Sequence, residues 1–318
     1  MLRAAEDGAH VNTVSPSRRG RRLAAAVFAC ISIILVASYL AASYVVADRF
    51  SQPARVPVDR PPLVQAASYE DVAFTSDGLI LRGWLFPGQS DRAVIVVHGR
   101  GANRTEWHGR SERIADFLLA DGYSVLLFDL RGHGESDGER FSLGYYERRD
   151  IAAAIAFLGQ RGFAEQRIAL IGISMGAASA LSVLTIDPNV GPIVVDSSFT
   201  DAAVVLAEDL PAETGMPSAL VPGILLVERL AFGVDTAAVR PIDIVRAHHE
   251  RPFLFIHCER DETIAVHHGR ELRAASANPS SELWIAPGCL HPRASDDYPD
   301  EYREHVLAFL RSQLREMR

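Results

Sequence analysis

Residues Leu23 to Ala47 form an uncharged, mainly apolar run of about 25 residues, enough for a helix to cross the hydrocarbon core of a bilayer. A buried core helix is the alternative, but the run shows no amphipathic face to support it. A cleaved secretion signal has an apolar region of only about 7–15 residues, so an uncleaved membrane anchor is expected. Arg18, Arg19, Arg21 and Arg22 precede the run and should stay cytoplasmic, which puts the bulk of the chain outside. Pro53, Pro57, Pro61 and Pro62 then mark a stretch expected to be an extended, semi-rigid tether. Fully stretched, it would hold the next domain several tens of ångströms from the bilayer.

Beyond the tether, short apolar runs alternate with helix-like spacing. Glu70–Ser76 and Leu79–Phe86 read as two strands joined by the hairpin signal Asp77-Gly78. Arg92–Val97, Ser124–Asp129, Ile168–Ile171, Pro192–Asp196, Phe253–Cys258 and Leu283–Ala286 are further apolar or β-branched runs of strand length. Helical spacing lies between them over Trp107–Ala120, Tyr145–Gln160, about Val266–Ala275 and Tyr302–Leu314. Strands alternating with helices predict an α/β fold, with a mostly parallel, twisted sheet of about eight strands covered on both faces. From about residue 200 to 246 no strand pattern appears, only apolar clusters separated by Pro and Gly. A small helical cap is expected there; ordinary packing helices on the sheet are the alternative. The chain thus divides into a basic segment 1–22, a transmembrane helix 23–47, a Pro-rich linker 48–68 and a domain 69–318 with the cap inserted.

Charge and composition narrow the chemistry. The net charge is −8, and all 32 basic residues are arginine. The absence of lysine excludes Schiff-base chemistry and a P-loop. No basic patch follows the N-terminus, which argues against nucleic acid as a partner. No Cys/His cluster has zinc-ligand spacing, and no metal or other cofactor is predicted. The first 22 residues carry a balance of +3, leaving −11 on the remainder, so the body is not expected to dock on anionic lipid.

The apolar run Ile168–Ile171 leads into Gly172-Ile173-Ser174-Met175-Gly176 and then an Ala-rich, helix-compatible stretch. G-x-S-x-G between a strand and a helix is the form of a nucleophile elbow. A serine is a weak nucleophile that must project from a sharp turn, and flanking glycines let strand and helix approach closely. HGRGAN follows the third strand, DLRGHGES the fourth and GISMG the fifth, with Asp and His late in the chain. From about residue 70 to the C-terminus the chain therefore resembles the α/β-hydrolase family of the serine-nucleophile type.

That resemblance implies a triad in the chain order Ser, acid, His. Ser174 is the expected nucleophile. His291, in Gly288-Cys289-Leu290-His291-Pro292 after the last strand, is the expected base. His248, His249, His267, His268 and His305 are expected to be solvated or packing residues, and His257 a core histidine. Asp261 matches the acid position best among Glu259, Asp261 and Glu262, with Asp196 as the alternative. Backbone N–H groups of Met175 and Arg100 are the expected oxyanion donors. His98, Asp129, Arg131, His133 and Ser136 are read as loop-ordering. Cys258 ends one strand and Cys289 lies beyond the next, and in this fold those strands are neighbours. In an oxidising compartment the two could form a disulfide tying the acid loop to the base loop; two free, partly buried thiols are the alternative.

The function implied is a membrane-anchored serine hydrolase that cleaves carboxylic esters or thioesters through an acyl-enzyme. A peptidase acting on short peptides and a non-catalytic binding module are the rivals. Dehalogenase and epoxide hydrolase chemistry is disfavoured, because this chain has Ser174 where those enzymes place an aspartate.

Overall fold

The computed structural model of the protein describes residues 18–65 and 68–315. Eight strands form one sheet in the order β1-β2-β4-β3-β5-β6-β7-β8. They are β1 (Glu70–Ser76), β2 (Leu79–Phe86), β3 (Ala93–Val97), β4 (Ser124–Phe128), β5 (Ile168–Ile173), β6 (Ile193–Asp196), β7 (Phe253–Cys258) and β8 (Glu282–Ala286). The first two pairings are antiparallel and the rest parallel. The β1–β2 turn places Asp77 and Gly78 both at positive φ, 50° and 82°, as a two-residue hairpin turn requires. Every residue of the β-branched strand β3 is buried, as expected for a central parallel strand.

Helices α2 (Arg110–Ala120), α3 (Glu147–Gln160), α4 (Met175–Ser182), α8 (His267–Ala275), the short α9 (Ala294–Asp297) and α10 (Pro299–Arg315) pack on the two faces. Two apolar cores, one on each side of the sheet, result. The insertion is helical: α5 (Ala202–Thr214), α6 (Val221–Val227), a π turn over Glu228–Phe232 and α7 (Pro241–Ala247). The spacing from Trp107 suggests a longer α2 than the structure has. Glu106, His108 and Gly109 take positive φ, and the regular helix starts only at Arg110.

The N-terminal part departs from the expected tether. Helix α1 runs over Arg18–Ser51, past the apolar run, and is long and apolar enough to cross a membrane. Its side chains are largely exposed from Leu23 to Val36, whereas Ser43, Val46, Ala47 and Ser51 are buried against the domain. Arg140 holds Asp48 and the Ser51 hydroxyl at 2.6 and 2.7 Å. The proline-rich segment then lies along the domain as a strap. Arg55 donates to the Ser136 carbonyl (2.7 Å), Asn103 donates to the Val56 and Pro57 carbonyls, and Arg60 pairs with Glu112 at 2.6 Å. Proline content is blind to Asn103 and Glu112, which hold the segment from tens of residues away.

Candidate active site

Ser174 sits between β5 and α4 at φ 56° and ψ −120°, a region that costs a non-glycine residue energy. The two elbow glycines explain why the turn can be so sharp. A Cβ on Gly172 would lie 2.5 Å from the Ala177 Cα, and one on Gly176 would lie 2.3 Å from the Val97 carbonyl oxygen. The strained residue is held by its own backbone: Ser174 N–H donates to the Asp196 carbonyl at 2.8 Å, and its carbonyl accepts from Ala177 N–H at 2.9 Å.

Three of the residues expected from the sequence meet here in one line. The Ser174 hydroxyl is 2.8 Å from His291 Nε2, and His291 Nδ1 is 2.6 Å from Asp261 Oδ2. The other Asp261 oxygen accepts the backbone N–H of Thr263 at 3.0 Å and Ile264 at 2.7 Å. A carboxylate fixed this way presents one oxygen to the ring, so Nδ1 carries the proton and Nε2 is left to accept one from the serine. Asp196 does not take that place. It is buried at the end of β6, accepts from the Ser197 hydroxyl, and is pushed up to about 7 by burial, against the opposing pull of Arg110.

The remaining histidines divide as the sequence suggests. His257 is buried, and its Nε2 donates to the Ile264 carbonyl at 2.7 Å. His305 stacks on Trp284, His248 caps α7 through the Ile244 carbonyl, and His249 is exposed. His267 and His268 begin α8, and buried His268 is held by Thr200 and Glu208.

The loop after β3 is fixed from three sides. His98 Nε2 accepts the Leu130 N–H, which makes Nδ1 the donor to the Gly99 carbonyl at 2.7 Å. His133 likewise accepts the Gly101 N–H and donates through Nδ1 to the Arg131 carbonyl. Burial, with the nearby His98, lowers His133 to about 3, so it stays neutral. Asp129 binds Arg104 and the Glu135 N–H, Ser136 donates to the Asp129 carbonyl, and Arg131 pairs with buried Asp150. Glu106 is the residue sequence reasoning missed. Its carboxylate accepts the Gly99 N–H at 2.8 Å from a backbone at φ 55°. Burial raises its pKa, opposed by His98 and Arg110. No motif marks a glutamate whose only distinction is a contact seven residues back.

With the amides on either side of Arg100 committed to Glu106 and His133, the peptide between them has a defined orientation. Met175 is the first residue of α4, where an N–H has no acceptor within the helix. Both residues border the cavity above Ser174, whose walls are otherwise mostly apolar: Leu143, Phe199, Val205, Leu206 and Ile264 among them. A separate hollow of about 460 Å³ beside Val190 and Pro252 lies near the opposite strand ends and contains none of these groups.

The acid and base loops are also joined covalently, by a disulfide between Cys258 and Cys289. Glu259 and Arg260 N–H groups add bonds to the Ala286 and Cys289 carbonyls.

A strained serine at a strand–helix turn, facing a histidine from the loop after the last strand, can be compared with known proteins. Residues 88–234 match the family model described as serine aminopeptidase, S33. The esterase Pf2001 of Pyrococcus furiosus superposes with a TM-score of 0.69 at 27% identity, covering 83% of this chain and 98% of that one. The chain has the α/β-hydrolase fold. The uncharacterized protein YfhR of Escherichia coli is 29% identical over 258 residues, 78% of this chain and 82% of its own length. YqkD of Bacillus subtilis is 29% identical over 237 residues, 73% and 76% of the two chains. With that fold and those relatives, the protein is a hydrolase.

Proposed function

We propose that this hydrolase cleaves carboxylic esters or thioesters through an acyl-enzyme on Ser174. His291 acts as base and then acid, and Asp261 orients it. The observation that carries the reading is the continuous line Ser174–His291–Asp261, with bonds of 2.8 and 2.6 Å. In the first step His291 Nε2 takes the hydroxyl proton as Oγ bonds to the carbonyl carbon. The oxyanion is met by the N–H groups of Met175 and Arg100. Collapse expels the alcohol or thiol with that proton, and water repeats the sequence to release the acid.

Apolar walls around Ser174 favour an acyl group over a charged peptide terminus. The peptidase reading draws on the family model's description, but it needs a carboxylate to hold an amino terminus. The candidate bordering the cavity, Asp209, stands 3.9 Å from the Arg100 guanidinium, and Glu208 is engaged with His268. Helix α1 serves as the membrane anchor, with the basic flank cytoplasmic and the hydrolase domain outside. The disulfide agrees with an oxidising location. A fluorophosphonate probe should label Ser174, and acyl esters should turn over faster than aminoacyl amides. Absence of labelling in folded protein would indicate a binding module, and preference for the amides a peptidase.

A further inference from the structure

Helix α1 does more than precede the domain. Its last turns are built into the roof of the Ser174 cavity. Gly223 of the cap lets the helix in: a Cβ there would meet the Ser43 hydroxyl at 2.2 Å and the Tyr39 ring at 2.6 Å. The Tyr39 hydroxyl donates to the Ala219 carbonyl and accepts the Gly223 N–H, at 2.9 and 3.0 Å. Three turns further on, Phe50 packs edge-on against Phe141 at 5.5 Å and lies under the Arg100 guanidinium at 4.8 Å. Phe50 and Arg100 border two spaces at once. One is the confined cavity at Ser174, about 40 Å³, too small for more than a short acyl group. The other is a cleft of about 720 Å³ whose walls include Val45, Val46, Trp107, Phe141 and Met216, with Arg49 and Gln52 among its polar members.

The helix also fixes where that cleft lies relative to a bilayer. About 20 residues are needed to span the hydrocarbon core, and counting from Leu23 this reaches Ala42. Val45, at the cleft, is three residues on, or roughly 5 Å along the axis. The cap segment that grips α1 also exposes Leu226 and Leu230, 45% and 77% accessible, beside this boundary. With no free tether between span and domain, the cleft opens at the membrane surface, whatever the overall negative charge.

We propose that the cleft receives the acyl chain of a membrane-dissolved amphiphile, a long-chain ester or thioester, and that Phe50 of the anchor helix sets how chain length is read at Ser174. The chain runs along α1 and past Phe50, and the scissile carbonyl sits at Ser174. This rests on the acyl-enzyme reading above.

The test uses the full-length protein in phosphatidylcholine vesicles and p-nitrophenyl esters of two, four, eight and twelve carbons. The wild type should hydrolyse the twelve-carbon ester at least as efficiently as the acetate. Phe50→Trp, which fills the passage, should lower the twelve-to-two-carbon ratio of kcat/KM about tenfold or more. Phe50→Ala, which joins the two spaces, should raise it severalfold. Fluorophosphonate labelling of Ser174 reports that each variant is folded. A wild type confined to acetate and butyrate, or an unchanged ratio in a labelled variant, overturns the inference and leaves the esterase reading intact. If neither variant is labelled, the wild-type chain-length profile alone decides. Failure of the wild type to hydrolyse any ester or to be labelled would instead overturn the reading beneath it.

Discussion

The groups at the strand ends and the roof above them are held in different ways. Ser174, Asp261 and the loop bearing His291 are set by backbone: ladder hydrogen bonds, glycine close approaches and one disulfide. The roof is set by side chains reaching across long sequence separations, such as Tyr39 to Ala219 and Arg140 to Asp48. Backbone restraint suits chemistry, which tolerates little displacement of the reacting atoms. Side-chain restraint suits selectivity, because one substitution reshapes the space without disturbing the sheet. The difference predicts that damage at the strand ends stops turnover, whereas damage in the roof redirects or loosens it.

The largest expected effect is at the acid. Asp261→Asn should lower kcat about 10⁴-fold, by losing the tautomer that lets His291 accept a proton. A steady-state assay checks this. Near-normal rates in Asp261→Asn together with collapse in Asp196→Asn would move the acid to β6.

Next comes the covalent tie. The two cysteines are 31 residues apart, and closing such a loop contributes about 4 kcal/mol in the chain-entropy account. Replacing both Cys258 and Cys289 with Ser should lower the denaturation midpoint accordingly. An unchanged midpoint would mean that the hydrogen bonds between the two loops suffice.

Glu106→Ala should cost about tenfold in kcat, because the Gly99 N–H loses its acceptor and the loop at Arg100 relaxes. Glu106→Gln keeps an acceptor and should restore most of the rate. If both variants behave alike, the charge rather than the hydrogen bond matters.

Asp196 supplies a pH signature. Its folded-state pKa is raised from 3.8 to about 7, so the native state holds a proton that the unfolded chain releases earlier. Native binding of that proton favours folding at low pH, and this contribution is lost as pH rises from about 4 to 7. Asp196→Asn should therefore flatten the stability profile across that window, read by thermal melts at several pH values. An unaltered slope would assign the dependence to other groups.

The smallest effect is expected in the strap. Arg60→Ala removes a partly exposed pair with Glu112 and should cost about 1 kcal/mol or less. A much larger loss would mean that the strap is integral to the fold rather than laid upon it.

How much of this was legible in the sequence follows the same division. Strand runs such as Phe253–Cys258, the Asp77-Gly78 turn and the elbow could be read because each is a local pattern with a local cause. Asp261 and His291 could be narrowed by their position after particular strands. Glu106 could not, because its role depends on a contact with Gly99 made through an unusual backbone conformation. Nor could the docking of α1. The apolar run marks a long helix, but Gly223, Asn103 and Glu112 carry no sign that they will receive residues from the N-terminal segment. The expected tether and the observed strap differ for that reason alone.

The central claim is that Ser174 becomes acylated during turnover. The direct measurement is the intact mass of the protein quenched while it hydrolyses an excess of an activated ester, followed by mapping of the adduct. Wild type should gain one acyl group on the peptide containing Ser174, and a Ser174→Ala variant should gain none. Absence of any adduct despite continuing hydrolysis, or an adduct at another residue, would contradict the account.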